Sequence, residues 1–484
     1  MALRSRLYLA LRGAHGAYAL RQKSIRTYAR TILRGPAAPG AHRIVERTRP
    51  ARNADAPLDA YDDPHSAPAM AIDRHLDEVE VVASEPEATD TRDVEAEAAG
   101  EGGLPITTRL ELHDPQTEAV WPMLRTINLE GRVLPGATVP ELSRETAQRM
   151  YEVIVRVQTM DDVFFSAQRQ GRISFYMTNT GEEALHVGSA SALDPDDVVF
   201  AQYREAGVLM WRGFTLQNFA DQCYGNADDV GKGRQMPVHY GSRKHNFQTI
   251  SSPLATQIPQ AVGAAYALKL QGAPNVAMCY FGEGAASEGD FHAALNFSAT
   301  LEAPVIFFCR NNGYAISTPA KDQYRGDGIV ARASGYGVAA IRVDGNDALA
   351  VHQATAEART FALSNNRPVL IEGMTYRVGH HSTSDDSTRY RSLAEIQGWK
   401  DKDQPEVRFR NWLRSKGWWS TEQETSARQE ARNEVLRALQ AAERKAKPPL
   451  SAIFEDVYAE LPDHLLRQKK DFDEHVARHQ DFYK

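Results

Sequence analysis

The sequence predicts an α/β protein built on a parallel sheet flanked by helices, with a helical C-terminal extension. Three observations carry the prediction. Short apolar runs alternate with longer amphipathic ones, the short runs are mostly apolar throughout, and the polar, glycine-rich stretches come directly after them. Strands that are apolar along their whole length are buried on both faces, as parallel sheets require. In such sheets, ligands bind in loops beyond the carboxyl ends of the strands.

The elements follow in order. Patterned sequence begins near Ile106. Pro140-Glu141-Leu142-Ser143 reads as a helix start, and apolar residues recur at helical spacing to Gln170. Val198–Ala201, Val276–Phe281, Val305–Cys309, Ala339–Val343 and Val369–Tyr376 read as strands. Glu182–Leu193, Ile258–Leu270, Ser287–Leu301 and Asp347–Ser364 read as the helices between them. From Gln404 the pattern turns to charged helices. Thr421–Lys447, dense in Glu, Arg and Lys, reads as a solvated helix face. Lys447-Pro448-Pro449 then stops it ahead of a short terminal segment that packs on the body or on a partner.

Composition narrows the function. Among 484 residues, 42% are hydrophobic and 25% charged, the proportions of an ordinary globular protein. A net charge of -7 argues against a general nucleic-acid binder. No apolar run reaches the roughly 18 residues a membrane helix needs. Cys223, Cys279 and Cys309 are widely spaced and form no CxxC pair, so they read as reduced thiols. Nine Lys/Arg residues precede the first acidic one, Glu46. That cationic, acid-poor composition reads as an organelle transit peptide. Residues 51–103 turn acidic and rich in Ala, Pro and Glu, with too few aromatic or β-branched residues to build a core. The expected division is therefore a presequence at 1–45, an acidic linker at 46–103, an α/β domain at 104–403 and the helical extension at 404–484.

The central chemical signal is Cys279-Tyr280-Phe281-Gly282-Glu283-Gly284-Ala285-Ala286-Ser287-Glu288-Gly289-Asp290, which follows a strand and opens a helix. Glycines let backbone amides approach an anion, and a helix start adds its positive end. A carboxylate between the glycines would repel phosphate unless a cation lay between them. Glu283 therefore points to magnesium bridging protein and diphosphate through hard oxygen ligands. Twenty-six residues separate Gly284 from Asn311-Asn312-Gly313-Tyr314, beyond the next strand. There an Asn side-chain oxygen and a carbonyl near Tyr314 can complete an octahedron. Taken alone, Gly-Glu-Gly would be a glycine-rich turn; the paired Asn-Asn at this spacing changes that reading. Gly-Asp-Gly, 25 to 30 residues, then Asn-Asn is the magnesium–diphosphate motif of thiamine enzymes, from which this stretch departs by Glu283 in place of Asp.

Three further stretches agree. In Gln202-Tyr203-Arg204-Glu205-Ala206-Gly207, Arg204 can clamp phosphate oxygens and Tyr203 can donate or stack. Arg310 stands beside Asn312 as a second cationic phosphate contact. Ser251-Ser252-Pro253-Leu254-Ala255-Thr256-Gln257 precedes a helix and reads, by itself, as a capping loop.

Over nearly all of Ile106 to Tyr458 the chain resembles the α subunits of heterotetrameric 2-oxoacid dehydrogenases. Gln202–Gly207, Ser251–Gln257, Gly282–Asp290, Cys309–Thr318 and Gly379–Asp386 resemble the branched-chain type most closely. The resemblance implies the thiamine-diphosphate-binding fold and an enzyme of the mitochondrial matrix. It implies thiamine-dependent decarboxylation of branched-chain 2-oxoacids with acyl transfer to a lipoyl arm. It implies cofactor contacts from Tyr203, Arg204, Gly284, Ala285, Arg310 and His381, and magnesium ligands Glu283, Asn312 and Tyr314. It assigns Ser251, Pro253, Thr256 and Gln257 to a potassium ion, and turns Ser252 and Leu254 to the pyrimidine end of the cofactor. The potassium assignment rests on resemblance alone.

Tyr376-Arg377-Val378-Gly379-His380-His381-Ser382-Thr383-Ser384-Asp385-Asp386 follows the last strand. A histidine near neutral pKa suits proton handling or phosphate contact, which makes His381 the candidate catalytic residue. By resemblance, Ser382 and Ser392 are regulatory phosphoserines, targets of a kinase and a phosphatase. A phosphate on Ser382 would set negative charge against the cofactor's own. No residue here is assigned the glutamate that must bond the pyrimidine ring. The resemblance places it in a β subunit, within an α2β2 assembly on a lipoyl acyltransferase core. The pyruvate-type α subunit shares the scaffold, but Gly282-Glu283-Gly284 and the His380–Asp386 context favour the branched-chain type. A Rossmann oxidoreductase would need a GxGxxG turn at the first strand, and none is there. A non-catalytic homologue would need a lost ligand, and every expected position is filled.

Overall fold

The computed structural model describes residues 109–483 except Glu111, Pro115 and Gln116. The expected presequence at 1–45 and linker at 46–103 lie outside the described residues. The strands are β1 (Met123–Leu124), β2 (Val198–Phe200), β3 (Ala277–Gly282), β4 (Val305–Asn311), the hairpin β5 (Tyr314–Ala315) and β6 (Thr318–Pro319), β7 (Ala339–Asp344) and β8 (Val369–Met374). The helices are α1 (Arg144–Arg169), α2 (Glu183–Ser191), α3 (Ala206–Trp211), α4 (Leu216–Tyr224), α5 (Gln257–Gln271), α6 (Gly289–Thr300), α7 (Ala320–Gln323), α8 (Ala348–Asn365), α9 (Leu393–Lys402), α10 (Pro405–Ser415), α11 (Thr421–Arg444) and α12 (Asp463–Arg478).

Six strands form one sheet in the order β1-β7-β8-β4-β3-β2, with every pairing parallel. β4 lies at its centre and all seven of its residues are buried. The continuous apolar run Val305–Cys309 is what a strand covered on both faces needs. Helices pack on both sides, and the buried apolar residues fall into two clusters, one on each face. Cys223, Cys279 and Cys309 are free and buried in this packing. No described helix is long and apolar enough to cross a membrane.

Several elements differ from expectation. β1 was not anticipated, because two residues are too few to show a period; its place at the sheet edge comes from pairing with Arg342 and Val343 of β7. The last strand ends at Met374, two residues short of Tyr376. The helix expected from Ser287 begins at Gly289, after a separate 3-10 turn over Ala285–Ser287. The positive end of α6 therefore lies beyond Gly284, not at it. The charged run Thr421–Lys447 is also more than a solvated face. In α11, Ala431, Val435, Ala438, Leu439 and Ala442 are buried in the same core as α1. Their spacing of three and four residues makes one apolar stripe among the charges. Phe409, Trp412 and Leu413 of α10 join that core. α12 buries no residue.

Ser143 caps α1 as its position implied, accepting a hydrogen bond from Thr146 N at 3.1 Å. That cap matters because α1 packs against α11 and α2, the helix whose N-cap is Glu182.

Candidate active site at the carboxyl ends of the strands

Gln202–Arg204 follow β2, Glu283 follows β3, Asn312 follows β4 and Arg377–His381 follow β8. The parallel register puts all four loops at one end of the sheet. Arg310 is not in a loop: it lies within β4, in register with Gly282 of β3 and Gly373 of β8. Its neighbours on both sides lack side chains, which leaves room for a guanidinium.

That guanidinium is held by two acids. Arg310 Nη1 donates to Glu182 Oε2 at 2.5 Å and its Nε to Glu205 Oε1 at 2.6 Å, all of them buried. Burial opposes the charge, but Glu205 and Glu182 outweigh it and hold Arg310 firmly protonated. Glu182 also accepts from Asn312 Nδ2 at 2.7 Å and lies 3.7 Å from Arg204 Nε. Burial pushes the Glu182 carboxyl up, yet Arg310 and Arg204 bring it below the usual carboxylate range. Arg204 also donates to the carbonyls of Thr178 and His381. Its guanidinium lies 5.5 Å over the Tyr203 ring, and that ring meets His381 edge-on at 5.9 Å.

Glu283 fits a metal site. It is 1% exposed, Oε2 accepts weakly from Asn312 N at 3.4 Å, and Oε1 has no partner at all. An unmet buried carboxylate oxygen is costly unless a cation or donor completes it. Burial, with help from the Glu182 charge, pushes its carboxyl up. Gly284 is needed for space and not for a left-handed backbone. Its φ is -64°, but an added Cβ would sit 2.6 Å from Ala315 Cβ. Ala285 beside it is buried. The Tyr314 carbonyl lies 3.5 Å from Arg377 Nη1, and the Tyr314 hydroxyl donates to Glu395 at 2.9 Å.

The loop before α5 gathers oxygens. Thr256 Oγ1 is 3.0 Å from the Pro253 carbonyl and 3.3 Å from Ser251 Oγ. Gln257 instead sends Nε2 to the Tyr280 carbonyl at 3.0 Å. Ser252 Oγ pairs with His239 Nε2 at 2.9 Å, and Leu254 is exposed. His239 and Ser242 help line a cavity of about 580 Å³ near this loop.

His381 departs from the near-neutral titration expected of it. Burial, reinforced by the Arg204 and Arg377 charges, pushes its imidazole down to about 3. It is a neutral hydrogen-bonding ring at physiological pH. His380 turns away, its Nδ1 on Ser387 Oγ at 2.9 Å. Ser382 is buried, with Oγ accepting from Ser384 N, whereas Ser392 is exposed and caps α9 through Glu395 N at 3.1 Å.

Sequence reasoning did not single out Glu182, Glu205 or His239. Glu182 offered one signal: it stands at the N-cap of α2, where Ser, Thr, Asp or Asn is usual.

The dehydrogenase E1 component family profile matches residues 151–451. A protein of Caenorhabditis elegans named 2-oxoisovalerate dehydrogenase subunit alpha, mitochondrial, is 55% identical over 379 residues, covering 78% of this chain and 88% of its own. The Bos taurus protein of that name is 56% identical over 375 residues, covering 78% and 82%. In Arabidopsis thaliana, the mitochondrial subunit alpha 1 is 54% identical over 377 residues, covering 78% and 80%. At this identity and coverage, the chain belongs to the dehydrogenase E1 component family.

Proposed function

We propose that the chain is the α subunit of a mitochondrial branched-chain 2-oxoacid dehydrogenase, working with a β subunit in an α2β2 assembly on a lipoyl acyltransferase core. The observation that carries the site is the unpartnered, buried Glu283 Oε1 standing across from Asn312 at the strand ends. Thiamine diphosphate, when bound, supplies the electron sink that lets a 2-oxoacid lose carbon dioxide. Glu283, Asn312 and the Tyr314 carbonyl would hold magnesium. Tyr203, Arg204, Ala285, Arg310 and His381 would hold the diphosphate, with His381 donating as a neutral imidazole. Gly284 lets this loop close against Ala315. Ser252 and Leu254 would meet the pyrimidine ring, and Ser251, Pro253, Thr256 and Gln257 would hold potassium and stiffen that loop.

The regulatory reading is part of the proposal. Ser382 is buried, so a kinase reaches it only when the loop opens, and a phosphate there would be hard to rebury beside the cofactor's own. Ser392 is exposed at a helix N-terminus, where a phosphate is tolerated. Burial and position therefore separate the two serines.

The test is co-expression of the chain with its β subunit and assay of 3-methyl-2-oxobutanoate against pyruvate, with thiamine diphosphate and magnesium. Preference for the branched acid is the expected result. Preference for pyruvate would overturn the substrate assignment.

A further inference from the structure

Glu182 occupies a capping position and caps nothing. It is the N-cap residue of α2, and its side chain makes no hydrogen bond to the helix's free N–H groups. The carboxylate turns to the strand ends, where it is wholly buried. Oε1 accepts from Asn312 Nδ2 at 2.7 Å, Oε2 from Arg310 Nη1 at 2.5 Å, and Arg204 Nε lies 3.7 Å away. A buried carboxylate is tolerated only with its charge and lone pairs met. Here two guanidiniums and one amide meet them.

The consequence falls on Asn312. An Asn side chain can bind a cation only through its oxygen, and nothing in the shape of the amide decides which end faces which way. Both ends of this one are fixed. Nδ2 donates to Glu182, and Oδ1 accepts from Tyr314 N at 3.2 Å with a second lone pair to spare. Reversing the amide would set oxygen against carboxylate and NH2 against N–H. The same Asn312 lies against Glu283, whose Oε1 is the one carboxylate oxygen among the buried, unpartnered atoms of the described residues.

We propose that Glu182 is a positioning residue for the metal–diphosphate site. It sets the polarity of the Asn312 amide, so that Oδ1 is the atom offered to the cation, and it aligns Arg204 and Arg310 before any phosphate arrives. The inference rests on the reading of Glu283, Asn312 and Tyr314 as magnesium ligands.

The test uses the assembled α2β2 enzyme, with Mn2+ as a paramagnetic stand-in titrated in the presence of thiamine diphosphate and read by electron paramagnetic resonance. Glu182→Gln keeps the shape, removes the charge and lets an amide face an amide. It should weaken Mn2+ binding by about tenfold to 100-fold, the range seen when a partner of a metal ligand is removed. Asn312→Asp alone sets two carboxylates face to face and should also bind poorly. The double variant Glu182→Gln/Asn312→Asp restores a donor opposite an acceptor and leaves an oxygen for the cation. It should recover at least about tenfold over Asn312→Asp, which a merely space-filling role for Glu182 would not produce. Unchanged Mn2+ affinity in Glu182→Gln, or a double variant no better than Asn312→Asp, overturns the inference and leaves the metal site standing. Wild-type enzyme that binds no Mn2+ with the cofactor overturns the metal reading, and this inference with it.

Discussion

Two neighbouring regions of this end of the sheet are held by opposite kinds of contact. Around β4, Arg310 sits between Glu182 and Glu205, with Arg204 and Asn312 on the same Glu182 carboxylate. Beyond β8, the loop from Arg377 to Arg391 is also rich in arginine, but its two buried guanidiniums, those of Arg377 and Arg391, find carbonyls, hydroxyls and rings, and Arg389 pairs with Asp386 at 3.6 Å only at the exposed surface. Arg377 donates to the Ile316 carbonyl at 2.7 Å and to the Tyr390 hydroxyl at 2.9 Å. Arg391 donates to the carbonyls of Arg377 and Gly379, and lies over the rings of Tyr314, Tyr376 and Tyr390. Asp385 accepts from Tyr390 and from the His381 amide, and ties the loop to itself. A buried pair broken on one side leaves a stranded charge, whereas a guanidinium lifted from a carbonyl or hydroxyl leaves only a neutral acceptor behind. The first region rests on opposed charges and the second, though Arg377 and Arg391 are equally buried, on neutral acceptors.

The comparison can be broken most forcefully at Arg310. Arg310→Ala removes the cation between two buried carboxylates, Glu182 and Glu205, and should cost about 3–5 kcal/mol of stability in chemical denaturation. A loss below about 1 kcal/mol would mean that the cluster is not the anchor its geometry describes. Next, Glu283→Ala should leave folding nearly intact while weakening magnesium-dependent cofactor binding by on the order of 100-fold. Cofactor binding by titration would check it, and unaltered affinity would remove Glu283 from the site.

In the loop after β8, Tyr390→Phe deletes one hydroxyl that joins Arg377 to Asp385 and should cost about 1 kcal/mol. The change should appear as faster proteolysis or hydrogen exchange within residues 377–391, with global stability almost unmoved. The mildest expectation concerns pH. The His381 imidazole is lowered in the folded chain from 6.5 to about 3, so its contribution is present above 6.5 and lost as the pH falls from there toward about 3. Over that window His381→Gln should flatten the decline in stability by at most about 1.4 kcal/mol per pH unit, and at pH 7 it should change little. A parallel decline in variant and wild type would place the burden on other groups, His186 first among them, whose imidazole burial also pushes down to about 3.

Much of the fold was legible because parallel strands advertise themselves. Val305–Cys309 and Val276–Phe281 are too apolar for any place but the middle of a covered sheet. The acid and the paired asparagines after them, Glu283, Asn311 and Asn312, are not residues that a covered apolar sheet needs for its core. Less legible was α11, where charge density masked a stripe of Ala, Val and Leu, since small residues at helical spacing carry a weak signal. The 3-10 turn at Ala285–Ser287 was hidden as well, because helix boundaries are set by hydrogen bonds that composition reports poorly. At the site, Glu283, Asn312 and Arg204 could be named from their motifs. Glu182 could not, because its importance lies in what it touches, 128 residues away at Arg310.

The amino-acid sequence by itself determined the alternation of strand and helix, the places where loops carry chemistry, and the family. Those are local properties, written in period, composition and short motifs. Tertiary structure alone decided which acids face which bases, that His381 stays neutral, and that the region around β4 rests on ion pairs while the buried arginines of the loop after β8 rest on carbonyls. Charge pairing and desolvation depend on distance through space, and only the folded chain sets that distance.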